Sequence, residues 1–338
     1  MQLPVDIKAI FDEATNIEEA RQTPLSVSIY MDESAPGDVQ AVVRQAFASA
    51  SSYARVSTMY FPSFPVVTTA EVDMAVIVAG LNENIGAYAA DIRAAGVPVM
   101  IVTTLPDLVF EIAQKTGHPL DKDDIISPVA RVRKKRLPEN TGSAEEPIAL
   151  DEAGTALINT YMGEWIIDAC KEKRLAFAIA FKFIRRTLSL ESVNATSLQN
   201  AGVGLVVFIP GADMPVMTLN QAKMLLQIAA AYGQPMDTNR IKELAAVVGG
   251  AFFFRSISRQ IVAFVPGLGW AVKAAIGYSG TQAMGRAAVE YFEGGGSIAG
   301  LAEVVDKARA KVVQAAGSET GTKVIGSVSN FVSNRIKK

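Results

Sequence analysis

Two short, uninterrupted apolar runs constrain the fold of this chain most. Met74–Val78 reads MAVIV and Val97–Val102 reads VPVMIV. A strand with one wet face would alternate, whereas Val- and Ile-rich runs of this length fit strands buried on both faces of a parallel sheet. Between them Ile85–Ala95 has helical spacing, and Gly96 ends it. The flanking sequence keeps the same rhythm. Ile7, Ile10, Phe11 and Ala14 mark an amphipathic first helix that Thr23-Pro24 stops. Leu25–Tyr30 alternates as a strand, and Pro36–Ser52 carries Val39, Val42, Val43 and Ala46 on one helical face. Arg55–Phe61 reads as a strand, Pro106–Thr116 as a helix and Asp124–Val129 as a last strand. Strands alternating with helices predict a three-layer α/β domain over residues 1–130.

The charge divides along the chain. Residues 1–130 hold 7 Lys/Arg against 17 Asp/Glu, and residues 131–338 hold 25 against 17, so a net charge of −2 conceals halves of −10 and +8. Two readings stay open: a basic second unit that meets an anionic surface, or ordinary surface charge with the two halves attracting each other. With 338 residues, 50% of them hydrophobic, the chain has material for two cores. One cysteine (Cys170) excludes an intramolecular disulfide and a cysteine-rich metal site, and one histidine (His118) excludes multi-histidine zinc chemistry. His118 lies in Lys115-Thr116-Gly117-His118-Pro119, a helix-stop pattern, and reads as a cap or loop residue. The first residues lack the basic and apolar regions of a signal peptide, so the expected location is the cytoplasm or the cytoplasmic face of the membrane.

The order of elements in the first half resembles a small GTPase domain of the Era-like type. Such a domain needs Gly-x-x-x-x-Gly-Lys-Ser/Thr after its first strand, with glycines for backbone approach to phosphate, a lysine against its charge and a hydroxyl for magnesium. The matching stretch here is Asp32-Glu33-Ser34-Ala35-Pro36-Gly37-Asp38-Val39. Gly37 alone survives. Asp32 stands for the first glycine, Asp38 for the lysine and Val39 for the hydroxyl residue, and three carboxylates would repel a phosphate. The guanine-reading position after the Val97–Val102 strand holds Thr103-Thr104-Leu105-Pro106, with Asp107 one residue late, and Ser127-Pro128 echoes the closing loop. The resemblance therefore implies a degenerate, pseudo-GTPase domain with no cofactor and no catalytic residues. An unrelated doubly wound sheet is the alternative.

Arg131–Arg136 is a compact basic run, and Leu137–Pro147 (LPENTGSAEEP) reads as a linker, so residues 131–150 are the expected boundary. Arg133, Lys134, Lys135 and Arg136 suit anionic lipid, or the acidic first domain. No interleaved aromatics support nucleic acid as a partner.

Residues 151–298 read as helical. Phe208-Ile209-Pro210-Gly211 and Phe264-Val265-Pro266-Gly267 each interrupt an apolar run of about a dozen residues, too short for a confident spanning helix. Shallow hairpins would place Phe208, Pro210, Phe264 and Pro266 at their tips and Arg255 and Arg259 at the interface. A compact soluble bundle explains the same pattern. Ile209–Asp213, Gln221–Met224, Tyr232-Gly233, Gly249-Gly250, Arg259, Pro266-Gly267, Gly277–Thr281 and Glu290–Phe292 carry a resemblance to the YcjF-type family (domain of unknown function 697). That family often follows Era-like GTPase domains and is often associated with membranes. The resemblance implies a helical module and transfers no catalytic residue. Residues 299–338 form an amphipathic helix (Leu301, Val304, Val305, Ala308, Val312) and a polar tail. The expected function is a non-catalytic, membrane-associated interaction or regulatory protein with a protein partner. The alternatives are an unconventional nucleotide-binding protein or GTPase, and a soluble homo-oligomeric scaffold.

Overall fold

The computed structural model describes residues 7–61, 71–129, 148–206, 213–236, 239 and 269–316. Five parallel strands, β1 (Leu25–Met31), β2 (Ala54–Tyr60), β3 (Met74–Val78), β4 (Val99–Val102) and β5 (Ile125–Ile126), form one sheet in the order β2-β1-β3-β4-β5. The helices interleaved with them are α2 (Gly37–Ala46), α3 (Ile85–Ala94) and α4 (Pro106–Lys115), with α1 (Ile7–Gln22) ahead of the first strand. After the sheet come α5 (Glu152–Ala169), α6 (Arg174–Ala180), α7 (Lys182–Val206), α8 (Asp213–Ala231), α9 (Gly269–Glu293) and α10 (Ile298–Ala316). The expected combination of an α/β arrangement with a helical one is present.

The chain forms two compact units, residues 21–187 and residues 1–20 with 188–338. The sheet unit thus extends through α5 and α6, and α1 clusters with the C-terminal helices although it directly precedes β1. Most of the expected boundary at 131–150 lies outside the described residues.

In the sheet unit, β3 and β4 are buried along their whole lengths, as their unbroken apolar sequences require. Ala75, Ile77, Val99 and Ile101 share a core cluster with Tyr88, Ala89 and Ile92 of α3 and Val109 and Ala113 of α4. The alternate residues Val76, Val78, Met100 and Val102 point to the opposite face by the two-residue strand period and are equally buried. Phe47, just after α2, meets Phe181 and Phe183 edge-on at 5.2 Å each. Helix α4 ends where its sequence indicated. Gly117 takes φ +81°, Gly117 N donates to Gln114 O and His118 N to Ala113 O, so His118 is an exposed cap residue.

The helical unit is organised by small and amide side chains. Gly277, Thr281 and Gly285 recur every four residues on α9 and so share one face. A Cβ at Gly277 would press on Asn200 O of α7, and one at Gly285 would collide with the Val193 side chain. Asn200, wholly buried, donates through Nδ2 to Thr281 Oγ1 (3.0 Å), while Asn220 Nδ2 donates to Asn200 Oδ1 (3.0 Å) and Gln221 Nε2 to Thr281 Oγ1 (2.9 Å). Thr281 in turn donates to Gly277 O (2.7 Å). Helix α1 clusters with this unit and buries Ile10, Ala14 and Ile17, and its Glu13 accepts from Gln227 Nε2 (2.8 Å) beside Lys223 (3.4 Å). Among the described residues no helix is long and apolar enough to cross a membrane.

Candidate functional site

In an open parallel sheet, ligands bind beyond the carboxyl ends of the strands where the strand order reverses. With the order β2-β1-β3-β4-β5, that switch point lies between β1 and β3. The chain brings there the loop after β1, with Asp32 and Ser34, the N-terminus of α2, with Gly37, Asp38 and Val39, and the loop after β3, with Gly80, Leu81 and Asn82.

Asp32 follows β1 directly and is 2% exposed. Its Oδ1 accepts from Ser34 N (2.9 Å) and Ser34 Oγ (2.8 Å), and its Oδ2 accepts from Gly80 N (2.8 Å) and Asn82 N (3.2 Å). Four donors use the carboxylate's acceptor capacity. Ser34 Oγ also accepts from Leu81 N (2.7 Å), so one acid and one hydroxyl tie the two loops together. The loops touch backbone to backbone. A Cβ at Gly80 would collide with Ala35 N and the carbonyl carbon of Ser34. Glycine is required here for close approach of protein to protein, at the place where a dinucleotide fold uses it for close approach to phosphate.

The N-terminus of α2 is used in the same way. Backbone N–H groups and the helix dipole make such a terminus attractive to an anion. Here Asp38 Oδ1 accepts from Val39 N (2.7 Å), and Gln40 Nε2 donates to Ala35 O (2.8 Å). Val39 is wholly buried, a core residue with no group to offer a ligand. Gly37 has open space where a side chain would stand, and its φ is not positive, so nothing in this loop requires its glycine. The structure thus brings Asp32, Gly37, Asp38 and Val39 together at the switch point, with Asp32 and Val39 buried in the protein and the exposed Asp38 bonded to the amide of its own neighbour. Glu33 is exposed, and among the described residues no group of His, Cys, Asp and Glu is arranged to hold a metal ion.

Beyond β4, Thr103 and Thr104 are wholly buried. Thr103 Oγ1 accepts from Leu105 N (3.0 Å), starting α4, and Thr104 O accepts from Ile148 N (3.1 Å). Ser127-Pro128 follows β5 and packs beside Gly154 of α5.

The opposite ends of the strands carry the ion pairs. Asp73, just before β3, accepts from Ser26 N (2.8 Å) and pairs with Lys173 (2.6 Å), which also donates to Pro24 O (3.1 Å). Nearby, burial first and then the Asp73 carboxylate push the Cys170 thiol up to about 12, partly offset by Lys173. A thiol in that state is no nucleophile at neutral pH. Asp124 accepts from Arg93 Nη2 (2.6 Å) and Trp165 Nε1 (2.9 Å), fixing α5 and α3 to the start of β5.

The remaining sequence-derived contacts, Arg133, Lys134, Lys135, Arg136, Phe208, Pro210, Arg255, Arg259, Phe264 and Pro266, lie outside the described residues. What sequence reasoning missed is the role of Asp32. An acid directly after an apolar strand, with Gly80 directly beyond the neighbouring strand run, was the available signal, and it becomes readable only once β1 and β3 are known to be neighbours.

No protein-family model, no curated protein and no solved structure matches this chain.

Proposed function

We propose that this chain is a non-catalytic interaction or regulatory protein, in which a doubly wound domain of nucleotide-binding type has been turned to structural use. The pseudo-GTPase reading belongs to this proposal, and the observation that carries it is the fourfold-bonded Asp32 carboxylate at the switch point. A ligand entering there would have to break hydrogen bonds whose unpaired buried donors cost about 1–3 kcal/mol each. A phosphate would also meet the carboxylates of Asp32 and Asp38, a like-charge approach. Titration of the full chain with magnesium-GTP and magnesium-ATP tests this, with no saturable binding at millimolar nucleotide as the expected result. Saturable binding would return the chain to the nucleotide-binding class.

Membrane association is the second part of the proposal. Its support is the +8 balance of residues 131–338 and the apolar runs that Pro210-Gly211 and Pro266-Gly267 interrupt. Each basic residue near an anionic surface contributes about 1 kcal/mol. Co-flotation of the full chain with vesicles containing phosphatidylserine is expected, with weaker recovery at high salt. A chain that remains at the bottom of the gradient with every vesicle composition removes the membrane from the proposal.

A further inference from the structure

The edge of the sheet offers a second kind of surface. β2 pairs with β1 one residue to one residue from Leu25↔Ala54 to Met31↔Tyr60, so no bulge interrupts its seven residues. Leu25 N donates to Tyr53 O, and Phe61 N donates to Met31 O. Alternate residues of a strand direct their backbone groups to alternate sides. Arg55, Ser57 and Met59 therefore bond toward β1, and Val56, Thr58 and Tyr60 turn their N–H and C=O outward along the sheet edge. Natural edges are usually blunted by lysine, proline, a bulge or a short strand. Among the described residues β2 has no lysine, proline or bulge and a single charge, Arg55, and Tyr53 just before it and Met59 and Tyr60 within it are 46%, 42% and 50% exposed. Tyr60 is held ready by Arg44, whose Nη2 donates to its hydroxyl (3.0 Å).

We propose that β2 docks antiparallel against β2 of a second copy of this chain, about a two-fold axis at Ser57. The register is self-complementary. Val56 of one copy faces Thr58 of the other as a hydrogen-bonded pair of β-branched residues, Ser57 faces Ser57, small Ala54 faces large Tyr60, and Arg55 faces Met59. No charge opposes its like, and all seven residues find a partner. Charge favours the same surface. Residues 39–70 contain no acid and two arginines, within a half that is otherwise strongly acidic, so copies meet where that repulsion is least. The proposal is independent of the closed switch point, and nucleotide binding would leave it standing.

Sedimentation velocity on the full chain, from low micromolar to near-millimolar concentration, tests it with three variants. The wild type is expected to show a concentration-dependent dimer. Thr58→Pro removes an outward N–H that β1 does not use, a substitution sheet edges tolerate, and should weaken the dimer about tenfold or more with an unchanged circular dichroism spectrum. Met59→Lys places like charges across the interface and Met59→Glu places opposite ones. The first should weaken and the second tighten association, each by about three- to tenfold, because every substitution acts twice in the dimer. A chain that is monomeric throughout leaves the edge to an extended segment of another protein and overturns the assignment. So does a dimer indifferent to Thr58→Pro, or one that Met59→Lys and Met59→Glu shift in the same direction.

Discussion

The two units solve one problem, the burial of polar groups at a crowded junction, in opposite ways. In the sheet unit a single carboxylate, Asp32, gathers three backbone N–H groups and one hydroxyl from two loops. In the helical unit neutral amides and a hydroxyl, Asn200, Asn220, Gln221 and Thr281, bond to one another between three helices. The difference follows from what each junction lacks. Loops beyond strand ends present unpaired backbone donors, which an anion satisfies best. Helices have already paired their backbones, so only side chains remain, and a buried charge among them would lack compensation. A carboxylate therefore fixes loop shape, and neutral side chains fix helix register.

The largest expected effect breaks the sheet side of this comparison. Asp32→Ala leaves four donors without their acceptor and should cost about 3–5 kcal/mol in urea unfolding. Asp32→Asn keeps the shape but turns an amide NH₂ toward backbone donors, so it should recover less than half of that loss. Next comes Gly285→Leu in the helical unit. Its side chain would enter the space of Val193, and overpacking of this kind costs about 2–3 kcal/mol. Hydrogen exchange should show the loss confined to amides of α7 and α9, with β3 unchanged. Thr281→Val is smaller, about 1–2 kcal/mol, because it removes the acceptor of Asn200 and Gln221 while preserving volume. If Asn200→Leu combined with Thr281→Val costs less than the sum of the single changes, the network acts as one unit. The mildest effect concerns pH. The Cys170 thiol is raised in the folded chain from 9.0 to about 12, so its contribution to stability is fully present below pH 9 and is lost as pH rises toward 12. Iodoacetamide at pH 8 should therefore label Cys170 far more slowly in the native chain than in urea.

Much of the sheet unit was legible in the sequence because its strands declare themselves by composition. MAVIV became β3 without change of boundary, and α3 and α4 came within a residue of their expected ends. The helix expected over Pro36–Ser52 stops at Ala46, where Phe47 caps it and turns into the aromatic cluster with Phe181 and Phe183. The reading of residues 151–298 as helical did not locate two breaks, at Cys170, where the backbone leaves helical geometry beside Lys173 and Asp73, and at Phe181. These are tertiary events. Local periodicity cannot register that Phe47 and Phe181 will meet, or that Asp73 will fix the turn after α5. The same limit explains why α1, amphipathic and adjacent to β1, gave no sign that it clusters with the C-terminal helices and that its Glu13 meets Gln227 and Lys223 of α8. It also explains the candidate site. That the residues after β1 do not spell a phosphate-binding loop was readable residue by residue, whereas the use made of Asp32 depended on strand order, which no local pattern encodes.

The central claim is that the switch point is locked from within. Native-state hydrogen exchange at the amides of Ser34, Gly80 and Asn82 measures this directly. The expected result is strong protection at Gly80, approaching that of β3, lost together with protection at Asn82 and Ser34 in Asp32→Ala. Exchange of these three amides at the rate of an open surface loop, unaffected by Asp32→Ala, would contradict it and leave the crevice free to receive a ligand.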